Sequence, residues 1–248
     1  MSGMDDSVHR GIIIRQSNYG DAHRMLSIFT EDMGIVKAVR YGVRGKKTSN
    51  AAAFQLLSYG DFKLRPSGSG IMTAVSAEIA DGFYPVSEDI EKLALVNYFA
   101  DITYALLGEA NPDKRILSLF LNIVYAAAYR KDDPEKLKCV YELKLMCAGG
   151  YMPDTSGCGE CGGEPAYFSP GSGSFACIRH RRGGDVAVST GAAALIRYVC
   201  TCPDKRMLSF EAESGVCAEA GAVSERYVAA QCCREFKSLA YFRAVSGI

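Results

Sequence analysis

Residues 158–163 read Cys158-Gly-Glu-Cys161-Gly-Gly, and Cys177-Ile-Arg-His180 follows after a stretch rich in Gly, Ser and Pro. Two Cys-x-x-ligand turns at this separation are what a tetrahedral metal site asks of a chain. Each turn offers two ligands, and the segment between them folds back to bring the pairs together. Gly157, Gly159, Gly162 and Gly163 relieve backbone crowding around the first turn, and Pro170-Gly-Ser-Gly173 supplies a hairpin turn between 166–169 and 174–176. Cys158, Cys161, Cys177 and His180 fill all four positions and leave none for water. The pattern therefore predicts one structural zinc ion per chain rather than a catalytic one. His180 is the least fixed ligand, because Cys200 or Cys202 could replace it. Haem attachment is excluded by Gly162, which stands where a histidine would have to follow Cys161. Zinc-deaminase chemistry is excluded too, since His180 leads into Arg181-Arg182 with no His-x-Glu partner.

Outward from this stretch, composition sets the bounds. A chain of 248 residues holds one large or two modest domains. Lys and Arg total 28 against 28 Asp and Glu, so no chain-wide positive field exists, and any contact with nucleic acid comes from a local patch. Of the ten cysteines, Cys139, Cys147, Cys217, Cys232 and Cys233 sit in apolar helical text with no secretory signal before them. That usage predicts reduced thiols in a cytoplasmic protein, packed as small hydrophobes. The longest uncharged run, 116–129, is too short to span a bilayer, so no membrane partner is expected.

The first eighty residues are written in strand language: Ile12-Ile-Ile14, then 22–30 and 35–41 around the turn Asp32-Met-Gly34, then two longer strands. In the fourth, Phe62 and Leu64 alternate with Asp61, Lys63 and Arg65; in the fifth, Ile71, Thr73, Val75, Ala77 and Ile79 share a face. Five short strands predict a small closed barrel. The oligonucleotide-binding (OB) barrel is the common five-stranded solution, with a small sandwich or SH3-like barrel as the rival. After Tyr84-Pro-Val-Ser87 the period becomes helical, with Ser87 as the N-cap of the first long helix. Asn111-Pro-Asp113 opens a second helix, apolar nearly all round from Ile116 to Ala128 and so expected at the centre of a bundle. Asp133-Pro-Glu135 opens a third, closed by Gly149-Gly150; Ser189 opens a fourth through Cys200, and 224–240 reads as the last. The predicted fold class is α+β and multi-domain: an N-terminal five-stranded OB-type barrel (1–82), then an all-α helical domain (83–248) containing a zinc-binding loop at 158–180.

The most suggestive surface text is Lys37, Arg40, Arg44, Lys46 and Lys47, with no carboxylate from Gly34 through Gly60. Gly42 to Asn50 reads as a flexible basic loop leaving the third strand, which attracts phosphates through charge and counterion release. Tyr19, Phe29, Tyr41 and Tyr59 lie in the same domain as candidate stacking platforms, or else fill the barrel. The last helix places Arg226, Arg234 and Lys237 beside Phe236, with Tyr241, Phe242 and Arg243 after it, a surface that could receive an acidic peptide tail or simply be solvated. Gly45-Lys46-Lys47 lacks the glycine and hydroxyl spacing of a phosphate-binding P-loop, and acidic pairs such as Glu31-Asp32 fall at turns. No catalytic arrangement stands out, so no enzyme is expected.

Taken together, these pieces resemble the RecO family of bacterial recombination mediators. The resemblance runs over nearly the whole chain: Gly11-Ile-Ile-Ile-Arg15 with Tyr19-Gly20-Asp21, Gly34-Ile-Val-Lys-Ala-Val-Arg40 into Gly42-Val-Arg-Gly-Lys-Lys47, Gly150-Tyr-Met-Pro-Asp154 into Cys158-Gly-Glu-Cys161, and Phe236 to Phe242. It implies an OB barrel and a helical domain with a zinc motif. It implies binding of single- and double-stranded DNA and annealing of complementary strands. The partners it implies are RecR, the acidic C-terminal tail of single-strand-binding protein, and indirectly RecA during gap repair, in a cytoplasmic, nucleoid-associated setting. Carried over by position, Cys158, Cys161, Cys177 and His180 take the zinc places, and Arg40, Arg44, Lys46 and Lys47 match the basic barrel loop. The 183–188 region and the cysteine-rich tail depart from the family pattern. A zinc-stapled adaptor with little DNA affinity, and more remotely a metal-dependent hydrolase acting on nucleic acid, are the competing readings.

Overall fold

A computed structural model of the chain describes residues 5–42, 51–68 and 70–247. Five strands form the N-terminal part: β1 (Ser7–Tyr19), β2 (His23–Thr30), β3 (Gly34–Arg40), β4 (Tyr59–Arg65) and β5 (Met72–Asp81). They close in the order β1-β2-β3-β5-β4, with β4 returning to β1 and only the β3–β5 pairing parallel. This is the OB-type closed barrel expected from the strand count. Ile13, Leu26, Ile28, Phe62 and Leu64 fill its interior, and Phe54, from a 3-10 turn at 51–54, is buried with them. Ile12, Ile13 and Ile14 are all buried in succession, so both faces of β1 are covered there and the period-two signal vanishes.

The face assigned to β5 is corrected by a bulge. Lys63 pairs with Ser76 but Leu64 pairs with Ala74, which leaves Val75 as an extra residue. The inward set is thus Met72 and Ala74 and then Ala77 and Ile79, because one inserted residue reverses the alternation.

Two glycines let the barrel close. Gly11 of β1 faces Gly60 of β4, and a Cβ built on Gly60 would lie 2.1 Å from the carbonyl oxygen of Glu78. On Gly11 it would lie 2.5 Å from that of Phe29. The obstacles are backbone, which cannot swing aside. Gly60→Val is therefore expected to destabilise the chain by about 3 kcal/mol or to prevent folding. A urea midpoint equal to that of the unsubstituted protein would show that the strands are not in contact at this point.

The helices are α1 (Tyr84–Ser87), α2 (Ile90–Leu107), α3 (Lys114–Tyr129), α4 (Pro134–Ala148), α5 (Thr190–Thr201), α6 (Ser214–Gln231) and α7 (Lys237–Ser246). By contacts the chain divides into two compact units, 1–93 with 107–118, and 94–106 with 119–248. In the first unit, residues 107–118 pack against β3: the amide of Ala110 donates to Ile35, and Gly34, at φ +71°, leaves room for Asn111.

Three helical expectations change. The cap of α2 is Asp89, whose Oδ1 accepts from the amides of Glu91 and Lys92, while Ser87 ends the single turn of α1. The last helix is two helices: the chain leaves α6 through Cys233, at φ +51°, and buries Phe236 against Tyr98 before α7 begins. With neither Gly nor Pro at the break, nothing in the local text announced it.

The third correction concerns the centre of the bundle. Every residue of α4 from Leu137 to Met146 is buried, including Lys138, Glu142 and Lys144. In α3, by contrast, Ser118, Asn122, Tyr125 and Tyr129 form an exposed stripe. The three charges of this stretch are neutralised inside the unit, Lys138 against Glu142 and Glu225 and Lys144 against Asp204.

Candidate metal centre and barrel surface

Between α4 and α5 the chain forms a small sheet: β6 (Asp154–Cys158), β7 (Tyr167–Ser169), β8 (Ser174–Ala176) and β9 (Val186–Ala187), ordered β6-β8-β7-β9. The hairpin β7–β8 falls where the Pro170–Gly173 turn predicts it; β6 and β9 are too short and polar to be legible. Phe168 and Phe175 make its apolar centre, crossing edge-on at 5.7 Å, and Tyr227 of α6 packs on Phe168 at 5.4 Å. Gly173, at φ +65°, is required here because a Cβ would meet the Tyr227 hydroxyl at 2.8 Å.

The same tight turn occurs twice. After Cys158 its carbonyl accepts from the amides of Cys161 and Gly162, and after Cys177 its carbonyl accepts from His180. The two turns bring Cys158, Cys161, Cys177 and His180 together, with all four ligand atoms within 4.8 Å of one another. Cys161 Sγ stands 3.8 Å from Cys177 Sγ, and His180 Nδ1 stands 3.5 Å from Cys158 Sγ and 3.4 Å from Cys177 Sγ. A tetrahedron with metal–sulfur arms of ~2.3 Å and metal–nitrogen arms of ~2.05 Å has edges of ~3.8 Å and ~3.6 Å. The three sulfurs and one nitrogen fit such an ion. Neither Cys200 nor Cys202 joins the group; Cys200 is buried in α5 beside Cys147, and the Cys202 thiol donates to Val199.

Electrostatics prepare the ligands. The amide of Cys177 and those of Glu160 and Cys161 point at the Cys158 sulfur and hold its thiol down to about 6, against the pull of burial. Burial works against the Cys177 thiolate, but the amides of Arg179 and His180 leave its pKa below the ordinary value. The Cys161 sulfur receives the amide of Gly163, yet burial and the other two sulfurs raise its pKa. Contact with the Cys158 and Cys177 sulfurs raises His180. A cation placed among them relieves this crowding of negative charge, so the group could hold a metal ion.

On the barrel, Lys37 pairs with Glu109 at 2.5 Å, and Arg40 reaches across the β3–β5 seam to the carbonyls of Ala74 and Val75 at 3.1 and 2.6 Å, its guanidinium over the Phe54 ring. Arg44, Lys46 and Lys47 lie outside the described residues. Phe29 is fully buried and Tyr59 lies under Arg10, which removes both as stacking platforms. Tyr19 and Tyr41 are exposed. His23, which sequence reasoning missed, sits opposite Tyr19 in register and meets Tyr41 edge-on at 4.8 Å, while its Nδ1 accepts from the amide of Gly42. A lone histidine at a strand start carries no sequence signal of this.

In the helical unit, Tyr98, Phe236, Leu239 and Ala240 line a groove of about 540 Å³ with Arg226, Arg243, Glu225 and Glu235 at its edges. Phe242 is buried away from it, and Arg243 pairs with Glu225 at 2.5 Å.

A closed OB-type barrel followed by a helical region that carries a Cys3His cluster defines a two-part α+β protein. Residues 4–83 match the family profile "Recombination protein O N terminal", and residues 87–240 match "Recombination protein O C terminal". The chain is similar to the DNA repair protein RecO of Acetivibrio thermocellus, 30% identical over 243 residues and 96% of each chain. It is 29% identical to that of Symbiobacterium thermophilum, over 92% of this chain and 93% of the relative. It is 33% identical to that of Rubrobacter xylanophilus, over 68% of each. The chain belongs to the RecO family. No helix among the described residues is long and apolar enough to cross a membrane.

Proposed function

We propose that the protein is a DNA-binding recombination mediator of gap repair. In this reading it binds single- and double-stranded DNA and anneals complementary strands. With RecR it helps load RecA onto DNA coated by single-strand-binding protein, in the cytoplasm at the nucleoid, without itself catalysing a reaction. The observation that carries this is one end of the barrel. There Tyr19, His23 and Tyr41 stand together, and β3 hands the chain to a carboxylate-free stretch bearing Arg44, Lys46 and Lys47. Exposed aromatic faces, with cations following in the sequence, supply the two chemistries that unpaired bases and phosphates require. Residues 1–82 serve as the DNA-binding barrel and 83–248 as the interaction domain. A structural zinc ion held by Cys158, Cys161, Cys177 and His180 cross-links the 154–187 sheet. The tail of single-strand-binding protein docks on the helical domain, at the groove edged by Arg226 and Arg243.

A second reading, an adaptor with little DNA affinity, draws on Lys37 and Arg40, whose cations are already engaged by Glu109 and by β5 carbonyls. Salt dependence separates the two. Changing Arg44, Lys46 and Lys47 to Ala should flatten the slope of log affinity against log salt for single-stranded DNA by about two units. Affinity should fall alike for all sequences, and annealing of coated strands should fall with it. Titration of a tail peptide, monitored in the same variants, should be unchanged by the loop substitutions and weakened by Arg226→Glu. Wild-type binding that is weak at low salt and indifferent to the loop would favour the adaptor.

A further inference from the structure

The exposed stripe of α3 is where the helical unit departs from ordinary surface chemistry. Residues at the solvent face of a helix that buries Ile123, Val124 and Ala127 on its other sides are polar by expectation, yet two of the four are Tyr125 and Tyr129. They are 54% and 47% exposed, one turn apart, with ring centroids 5.0 Å from each other. Beside Tyr125 opens a cleft of about 280 Å³ between α3 and the turn 204–209, floored by Met207 and Leu208 and edged by Arg130 and Lys205.

Asp204 also lines the cleft, but ion pairing leaves an excess of unpaired cations around it. The two nearby carboxylates are already held: Asp132 by Arg130 at 2.7 Å and Lys136 at 3.1 Å, and Asp204 by Lys144 at 3.1 Å. Among the described residues no carboxylate pairs with Lys131, Lys205 or Arg206, all of them exposed. The turn itself is fixed in place. The Tyr198 hydroxyl donates to the carbonyls of Arg206 and Ser209, and Lys136 Nζ donates to those of Leu208 and Phe210. A pre-ordered ledge of cations beside solvent-facing rings loses little entropy when it binds.

We propose that the Tyr125–Tyr129 face of α3, with the adjoining cleft, is a contact for single-stranded nucleic acid distinct from the barrel. Bases stack on the tyrosine rings or enter over Met207 and Leu208, and the phosphates lie along Lys205 and Arg206, whose charges no carboxylate neutralises among the described residues. Unpaired strand is the occupant because a duplex keeps its base faces hidden, whereas flat aromatic surface alternating with cations suits a splayed single strand. A bare apolar partner would leave the cations uncompensated, and a second copy of the chain would bring cation against cation. The inference rests on the DNA-binding reading, to which it adds a second contact within the helical unit.

Photo-crosslinking of the full chain to a thymine-rich oligonucleotide carrying 5-iodouracil tests it. The crosslink is expected in the tryptic peptide 116–130, which holds both tyrosines, and should persist in the Arg44/Lys46/Lys47→Ala variant. Tyr125→Ala with Tyr129→Ala should weaken binding roughly fivefold or more, since stacking is worth about 1–3 kcal/mol per base. Tyr125→Phe with Tyr129→Phe should retain affinity, because the rings remain. Circular dichroism of each variant confirms the fold. Wild-type binding with no crosslink in 116–130 and an unaltered Ala variant would overturn the inference while leaving the barrel reading intact. An Ala variant changed only in sedimentation would make this face a contact between copies and equally overturn it. A wild-type chain that binds no oligonucleotide would remove both readings.

Discussion

Cys177→Ser is expected to abolish binding of the metal ion proposed for the Cys158, Cys161, Cys177 and His180 group and to unfold the 154–187 sheet while the barrel stays folded. The sheet has little else to hold it. Two of its four strands are three residues long and one is two, and its apolar centre is Phe168 and Phe175. A segment with this many glycines loses much conformational entropy on ordering, which two buried aromatics do not offset. Structural zinc in comparable four-ligand turns supplies about 10–16 kcal/mol of apparent binding free energy, most of it coupled to folding. Losing one thiolate should therefore lower metal content to near zero and expose 159–185 to proteolysis. It should also lower the melting temperature of the helical unit, because the sheet contributes to that unit through Tyr227 and through Arg197, which donates to Thr155. His180→Ala should have the same effect with residual weak binding, whereas Cys200→Ser should leave metal content unchanged. Acid should release the ion as well, because protons compete with it for the sulfurs. Stoichiometric metal in Cys177→Ser protein purified without chelator would show that the four-ligand assignment is wrong.

The paired turns that bring the four side chains together were legible because each is local. Two ligands three residues apart, flanked by glycine, specify a turn whatever surrounds it, so Cys158–Cys161 and Cys177–His180 could be read without knowing the fold. The barrel was legible through its turn at 32–34 and its alternation in β4, but not through β5, where Val75 shifts the register and reverses the face. That bulge depends on how β4 and β5 pair, and pairing is not a property of either strand's text. The same holds for His23 and Tyr41, which meet because β2 and β3 are neighbours. The α6–α7 break at Cys233 is set by the burial of Phe236 against Tyr98, a contact between residues more than a hundred positions apart.

The misplacement of the bundle's centre has the same origin and the most informative consequence. Lys138 and Glu142 are one turn apart on α4, which in sequence is the mark of a solvated face, and here both are buried. Their burial is sustained by partners on other helices. Glu142 accepts from the hydroxyls of Tyr98 and Ser224, and Lys138 donates to the carbonyl of Gly221 and pairs with Glu225 at 3.2 Å. Burial pushes the Glu142 carboxyl up despite Lys138 and the two hydroxyls. Burial would lower Lys138, but Glu142, Glu225 and Glu135 hold it above its ordinary value, so the ammonium is the charge that the core keeps.

Lys138→Met should consequently extend to higher pH the loss of stability that the raised Glu142 carboxyl already gives the unsubstituted protein. Without the ammonium the Glu142 carboxyl rises further, and the folded state retains a proton that the unfolded state releases above its carboxylate pKa of ~4.3. A group whose folded pKa is raised stabilises the fold below the unfolded pKa and loses that contribution as pH climbs towards the folded value. Above the raised wild-type value and up to the still higher variant value, the variant should lose up to about 1.4 kcal/mol per pH unit relative to wild type. By pH 8 the deficit should approach the ~3–5 kcal/mol typical of a buried ion pair broken on one side. Lys138→Met with Glu142→Leu removes both the charge and its counter-charge, and should recover most of the loss and flatten the profile. Glu142→Leu alone should cost less than Lys138→Met, since Glu225 and the Gly221 carbonyl still satisfy the ammonium. Urea unfolding of the four proteins at pH 5, 6.5 and 8 decides the matter. Parallel profiles for wild type and Lys138→Met would mean that Glu142 reaches solvent and that α4 is not the sealed centre of the helical unit.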